Sequence, residues 1–364
     1  GPGYLEELGR RLDPAIDVFW TGPEIISAEI TPEAIRPVAA ALRRPPVIWD
    51  NLFANDYDGT RFFSGPFAGR PPALRDAVRG VLLNPNNEFP LNRVPFHTFA
   101  SWLRGDDGWD PAAAHQAAVH DWLPSFALLP PAPGAAPRAA ITFEDLLLFS
   151  ECFYLPHTPG PGARALLEGA RGLVARPAGA WGAAETCALD AARRLKDLGN
   201  RLADLADRGL LHALARRIWP LREECALLVH HAENRLREAR GEAPRPDDDH
   251  LPGTFRGGFL AELAAVVPPP WEAAPGQERA FLVRPARPDD EPAAYRVCLE
   301  TGDDGGDGTP FYRDDPDALG RIFVGPYFAF APDLAWVLED DEGVCGYCLA
   351  ADDSDRFYDQ YERH

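Results

Sequence analysis

Short apolar runs alternate with helical patterns through the first 125 residues. Ile16-Asp-Val-Phe-Trp20 reads as a buried strand. Thr31-Pro-Glu-Ala then opens a helix that runs to about Arg44, with Thr31 as its cap and Pro32 in the first helical position. Pro46-Val-Ile-Trp49 predicts a second strand, followed by a polar, Gly-rich loop from Asn51 to Arg70. A short helix over Pro72 to Arg79 leads into a third strand, Gly80-Val-Leu-Leu83, and two helices follow over roughly Val94 to Leu103 and Pro111 to Leu123. Strands that recur about every 30 residues with a helix between them are βα units of a parallel sheet. Each strand stops at a polar or glycine break: Thr21-Gly22, Asp50-Asn51 and Asn84-Pro85. In parallel α/β folds these C-terminal strand ends carry the chemistry.

Leu128 to Pro137 is rich in Pro and Ala and predicts a linker within residues 128–140. From Ile141 to Val267 the pattern is helical. Leu195, Leu198, Leu202 and Leu205 form one stripe, and Leu214, Ile218, Leu221, Cys225, Leu228 and Ala232 form another. Such stripes predict helix-helix packing, here a bundle of about four helices, with Pro220 expected to kink or break the second striped helix. Residues 242–253 are a polar interruption, and residues 268–278 a second linker. Beyond it, residues 279–364 predict a strand, a helix over Ala293 to Leu299, an acidic Gly loop over Asp303 to Asp307, and a hairpin of Leu334–Glu339 with Gly343–Leu349. The fold class is therefore α/β plus all-α: three βα units, a helical bundle and a small C-terminal α/β region.

The chain has 36 basic and 56 acidic residues, a net charge of −20, and 22 acidic against 8 basic residues fall in 269–364. Such an excess argues against a nucleic-acid binder, because phosphate contacts need Lys and Arg; it fits either a solvated surface or a face that repels anions or attracts a basic partner. No uninterrupted apolar stretch of membrane-spanning length occurs, so no membrane partner is expected. The six cysteines make no dense framework, which points to a reducing, cytoplasmic compartment. Cys345-Gly-Tyr-Cys348 is a C-x-x-C motif in a strand pattern with no second pair, so neither zinc nor redox chemistry is assigned to it, and no cofactor or metal is expected. The chain does not begin with Met, which reads as a processed or internal piece of a longer protein.

The densest polar constellation is Trp49-Asp-Asn-Leu-Phe-Ala-Asn-Asp-Tyr-Asp58, which starts at a strand end and runs into a loop. Carboxylates and amides bond vicinal hydroxyls and aromatic faces pack on sugar rings, so this composition fits a carbohydrate site; it equally fits a loop of turn-forming Asn and Asp. Asn84-Pro-Asn-Asn-Glu88 ends the next strand and reads either as an amide aimed into the same mouth or as an Asn-Pro turn. His115 and His120 lack the spacing of a helical metal pair, and His230-His231 falls in the bundle pattern. No nucleotide-binding glycine motif or nucleophile elbow occurs, and the Asp-Asp pairs at 106, 289, 303, 314, 340 and 352 lie in loops or turns, not at the ends of apolar strands.

The strings VFWTGPEIIS (18–27), PPVIWDNLFANDYD (45–58), GPFAGR (65–70) and GVLLNPNNEF (80–89) resemble the protein O-GlcNAcases of glycoside hydrolase family 84. SECFYLPHTPGPGA (150–163) and FRGG (255–258) resemble that family's helical stalk. VRPARPDDEPAAYRVC (283–298) and VLEDDEGVCGYCL (337–349) resemble the start of its acetyltransferase-like domain. The resemblance runs in order over nearly the whole chain.

It implies the last three βα units of a TIM barrel over 1–127, a stalk over 141–267 and a truncated acetyltransferase-like region over 279–364. The implied activity is retaining, substrate-assisted hydrolysis of N-acetylglucosamine from Ser and Thr of modified proteins, in which the substrate's own acetamide oxygen is the nucleophile, an exception to the two-carboxylate scheme. By resemblance, Asp56 grips the outer hydroxyls of the sugar, Asn84 assists it, and Asn51 lies near the acetamide. Trp49 and Tyr57 wall the pocket, and Ile25 lines the acetamide end. The family's Asp-Asp dyad has no counterpart in these residues, so the chain alone is expected to be inactive. The implied partners are O-GlcNAc-modified proteins or N-acetylglucosaminides, and a second copy through the stalk. An acetyltransferase-like module is the weaker alternative; it has no pyrophosphate-binding loop to support acetyl-CoA.

Overall fold

A computed structural model describes residues 3–105, 108–130, 139–245, 257–267, 282–303, 307–340 and 343–363. The chain forms two compact units, Gly1–Glu272 and Ala273–His364.

The first unit opens with α1 (Tyr4–Arg11), β1 (Phe19–Trp20), α2 (Pro32–Leu42), β2 (Val47–Asp50), α3 (Leu74–Ala77) and β3 (Gly80–Leu83). The strands form a parallel sheet in the order β1-β2-β3, pairing Trp20 with Ile48 and Asp50 with Leu83. Thr31 caps α2, its hydroxyl accepting from Ala34 N at 3.4 Å, and Arg43 closes the helix in the left-handed region at φ 55°. The first strand is shorter than its apolar pattern predicts. Only Phe19 and Trp20 pair with β2, and Ile16 is exposed rather than buried. α1, which the apolar pattern did not predict, packs on α2 instead; there Gly9 approaches the Ala41–Leu42 backbone so closely that a Cβ would sit 2.3 Å from Ala41 O.

α4 (Arg93–Arg104) and α5 (Pro111–Trp122) match the helical patterns closely. Among the described residues five helices follow rather than about four: α6 (Phe143–Cys152), α7 (Pro161–Ala175), α8 (Ala183–Leu202), α9 (Arg208–Ala239) and α10 (Gly258–Val266). Pro220 does not break α9, which is continuous on both sides of it; a proline removes one backbone donor, and packing of the surrounding apolar stripe supplies what that bond would have added. Both leucine stripes are buried, and α8 packs along α9 through them. One core joins this bundle to the βα region, with Phe62, Leu91, Val94, Val119 and Trp122 in the same cluster as Phe149, Leu166, Leu195 and Leu228. Leu128, at the start of the Pro-rich segment, pairs with Leu205 as an isolated antiparallel bridge; most of that segment lies outside the described residues. The same holds for most of the polar interruption at 242–253 and for the second linker.

The second unit is an antiparallel sheet of β4 (Leu282–Pro285), β5 (Ala335–Asp340) and β6 (Gly343–Leu349), in that order. The hairpin predicted from sequence is β5-β6, and the predicted helix is α11 (Glu291–Glu300), which packs on β6. α12 (Ala318–Phe323), α13 (Gly325–Phe330) and α14 (Ser354–Arg363) are additions that the apolar pattern did not show. Arg284 on β4 bonds Asp290 at 2.6 Å and Glu339 at 2.5 Å, tying the turn before α11 to the sheet. Cys345 and Cys348 are both exposed free thiols on β6, and no group of three metal-ligating side chains occurs among the described residues.

Candidate functional site

The parallel sheet brings the ends of β2 and β3 side by side. Its ladder continues past the last strand residue, with Asn84 N donating to Asp50 O at 2.8 Å, so Asn51 and Asn84 emerge together at the C-terminal edge. Asn84 Nδ2 donates to Asn51 Oδ1 at 2.9 Å, and Asn51 Nδ2 donates to Ile25 O at 2.7 Å. Three sequence candidates from three separate breaks therefore form one hydrogen-bonded row. Asn51 is buried, Asn84 is half-buried, and the Ile25 side chain is exposed.

Asp56 and Tyr57 stand exposed on the loop that leaves β2. The Tyr57 phenol is held above its usual range by burial of part of the ring, an effect that Arg61 offsets and that the Asp58 and Asp56 charges reinforce. Trp49 lies on β2 itself, partly exposed, with its ring edge-on to Phe19 at 5.6 Å. Of the three aspartates in the polar string, one faces outward. Asp50 is fully buried, and Asp58 accepts from Thr60 N at 3.0 Å and Thr60 Oγ1 at 2.6 Å, a local turn of the kind Asp favours.

Asp50 instead forms a bidentate pair with Arg70. Nη2 and Nε each reach one carboxylate oxygen at 2.7 Å, and neither side chain is exposed. The same guanidinium donates to Ser27 O at 2.9 Å, Ala28 O at 2.9 Å and Ala68 O at 3.0 Å. It thus fastens the segment that carries Ile25 to the end of β2. Gly69 allows this approach: it sits at φ +73° with Ala28 O only 2.1 Å from where a Cβ would be.

A second set of buried amides ties the two loops together. Asn86 pairs with the Phe63 backbone in both directions, Phe63 N to Oδ1 at 2.7 Å and Nδ2 to Phe63 O at 3.0 Å. Asn55 accepts from Asn87 N at 2.8 Å and donates to Arg61 O at 2.9 Å and to Glu88 at 3.2 Å. Asp50, Arg70, Asn55 and Asn86 were not singled out from sequence. A charged residue directly at the end of an apolar strand, with an arginine directly after a glycine-bracketed string, was the available signal for the first two.

Beside this edge a groove of about 1080 Å³ separates Tyr57–Thr60 from Leu211, Ala215, Ile218 and Trp219 of α9. Its lining takes in Tyr57 but not Asn51, Asp56 or Asn84.

Comparison with known proteins covers the region that carries this edge. Residues 2–128 match the family model described as beta-N-acetylglucosaminidase. The protein O-GlcNAcases of Rattus norvegicus and Mus musculus are each 23% identical over 563 aligned positions, which take in 96% of this chain and 60% of the relative. The chain therefore spans about 60% of the length of these curated relatives. Among solved structures, the Thermobaculum terrenum O-GlcNAc hydrolase superposes with a TM-score of 0.52 at 22% identity, covering 65% of this chain and 48% of that one. CpGH84B superposes with a TM-score of 0.52 at 16% identity, covering 65% and 40%. At these identities the structural likeness establishes the fold. Residues 2–128 thus match a beta-N-acetylglucosaminidase family model, and the chain is similar to protein O-GlcNAcases along nearly all of its length.

Proposed function

We propose that this chain supplies the sugar-holding edge of a retaining, substrate-assisted β-N-acetylglucosaminidase acting on O-linked N-acetylglucosamine of proteins. The observation that carries the reading is the row Asn84–Asn51–Ile25 across neighbouring strand ends, with Asp56 exposed a few residues along the same loop. Such a row presents fixed amides while leaving one carboxylate free to accept from sugar hydroxyls. Asp56 takes the outer hydroxyls with Asn84 assisting it. Asn51 stands toward the acetamide, and Trp49, Tyr57 and Ile25 provide the apolar surface. The general acid/base and the group orienting the acetamide belong to polypeptide outside residues 1–364, which would also supply the other strands of an eight-stranded barrel.

The chain alone is expected to release nothing from an aryl N-acetylglucosaminide. Adding a polypeptide that supplies the remaining strands should restore turnover. In that reconstituted protein Asp56→Ala should lower kcat/KM by about 1.5 to 3 kcal/mol, the size of a hydrogen bond to a charged group, or roughly ten- to a hundredfold. Turnover by the chain alone that Asp56→Ala abolishes would overturn the assignment of the acid elsewhere; unchanged turnover in the reconstituted variant would overturn the sugar role of Asp56.

A second reading concerns assembly. The apolar groove and the exposed Trp219 on α9 favour a second copy docking through the helical region. Light scattering of the whole chain tests it: a monomer at high concentration removes the idea. A cytoplasmic location accompanies this reading, in keeping with six unpaired cysteines.

A further inference from the structure

We propose that Arg217, on α9 of the helical region, is a positioning residue for the loop that carries Asp56 and Tyr57. The consequence for sugar binding rests on the reading above; the effect on the loop does not.

Arg217 is separated from that loop by more than 150 positions in the chain and is 1% exposed. Its Nη1 reaches Glu88 Oε1 at 2.8 Å and donates to Ala213 O at 2.7 Å. Its Nη2 donates to Arg61 O at 3.1 Å. Glu88 turns its other oxygen to Asn55 Nδ2 at 3.2 Å, and Asn55 also donates to Arg61 O at 2.9 Å. Asn55 and Arg61 are thus the two ends of one loop. They are bonded to each other, and Arg217 holds both: Arg61 directly, Asn55 through Glu88. Asp56 and Tyr57 project from the segment closed in this way, while Asn87 N on Asn55 Oδ1 joins it to the segment that follows Asn84.

The chemistry needs a fork. Two donors at fixed separation serve a carboxylate and a carbonyl at once, whereas a lysine offers a single point charge. Burial does not make Arg217 a strong stabiliser, because its Nε has no partner among the described residues and desolvating a charged pair offsets much of the attraction. The residue therefore acts on geometry more than on overall stability. Burial raises the Glu88 carboxyl, but the Arg217 and Asn55 hydrogen bonds and the Arg217 charge outweigh it and hold the group below the usual range, so Glu88 is ionised at neutral pH.

Hydrogen exchange of the full chain, measured without sugar, tests the inference. In Arg217→Met, amides of residues 56–61 should exchange at least roughly tenfold faster, while α7 and α8 exchange as in the wild type. Arg217→Lys, which keeps the charge on Glu88, should recover part of that protection; a residue that merely fills space would show no such rescue. Glu88→Gln removes the charge and leaves one acceptor oxygen, enough for only one of Arg217 Nη1 and Asn55 Nδ2, and should open the same segment by a smaller factor. Wild-type exchange of residues 56–61 in a folded Arg217→Met protein would overturn the proposal. If that variant fails to fold, Glu88→Gln decides by the same criterion. Because no sugar is present, failure here is separate from failure of the sugar reading, which the Asp56→Ala assay tests.

Discussion

Asp50→Asn should cost about 3 to 5 kcal/mol of stability, the loss that follows when one member of a buried ion pair is neutralised and the other remains. Asp50 and Arg70 have no exposed side-chain surface, and the pair is bidentate at 2.7 Å. The amide keeps the shape of the carboxylate but leaves the guanidinium charge without a counter-ion. Three carbonyls, those of Ser27, Ala28 and Ala68, still depend on that guanidinium. Removing both partners in Asp50→Asn/Arg70→Met should therefore remain clearly less stable than wild type, because each abandoned buried carbonyl costs about 1 to 3 kcal/mol, while the two substitutions should not add. Urea unfolding, with exchange protection of α4 marking the transition, measures both effects. Trp102 on α4 donates to Arg70 O at 2.8 Å and so reports on the pair. An Asp50→Asn protein within about 0.5 kcal/mol of wild type would show that the pair only fills space. The same substitution should speed exchange in residues 23–28, since Arg70 is what fastens that segment to β2.

Stability should also depend on pH through His115, and in a direction opposite to that set by Glu224. His115 is buried among Ser64, Ser150 and Tyr154; its Nε2 lies 3.0 Å from Ser64 O and 2.8 Å from Ser150 Oγ. With a carbonyl facing it, Nε2 carries the hydrogen of the neutral ring. Burial lowers its pKa to about 4, although the bond to Ser64 works the other way. The folded protein thus refuses a proton that the unfolded chain accepts near 6.5. This stability is present in full above pH 6.5 and is lost as pH falls toward 4, a span worth about 3 kcal/mol. Glu224 on α9 is buried beside Glu223, which is itself paired with Arg222, and its carboxyl is pushed up to about 7. There the folded protein keeps a proton that the unfolded chain releases near 4.5, so stability falls as pH rises from 4.5 to 7. Between about pH 4.5 and 6.5 the two slopes oppose each other. His115→Gln should remove the rising slope, and Glu224→Gln should remove the falling one and be the more stable protein at pH 8. Stability measured by urea unfolding from pH 4 to 8 checks this. A Glu224→Gln curve parallel to wild type across the whole range would mean that Glu224 is not titrating in the folded state.

Sequence reading carried furthest where local rules and burial agree. The cap at Thr31, the parallel strands at 47–50 and 80–83, the stripes of α8 and α9 and the hairpin of β5 with β6 all follow from apolar spacing with capping or turn residues at the ends. It was weaker where tertiary contacts override spacing. Ile16 belongs to an apolar run but lies outside the sheet, and Pro220 stands inside a continuous helix. At the site, the polar string showed where hydroxyl-binding groups cluster but not which of them are free. Asp50, Asp56 and Asp58 are the same residue type within nine positions, yet one is buried on Arg70, one is exposed and one closes a turn.

The order of amino acids by itself determined α2, α4, α5, α8, α9 and α11, the strands β2, β3, β5 and β6, and the edge of the sheet at which polar groups gather, because 3.6-residue and two-residue periodicities and caps act over a few positions. Only the tertiary structure decided which polar groups meet. Asn84 with Asn51, Asp50 with Arg70, and Arg217 with the loop from Asn55 to Arg61 are partnerships between residues 20 to 156 positions apart. Each depends on how the strands pair and where α9 packs, and burial of these groups then leaves no choice but to find partners, since an unpaired buried amide or charge is costly.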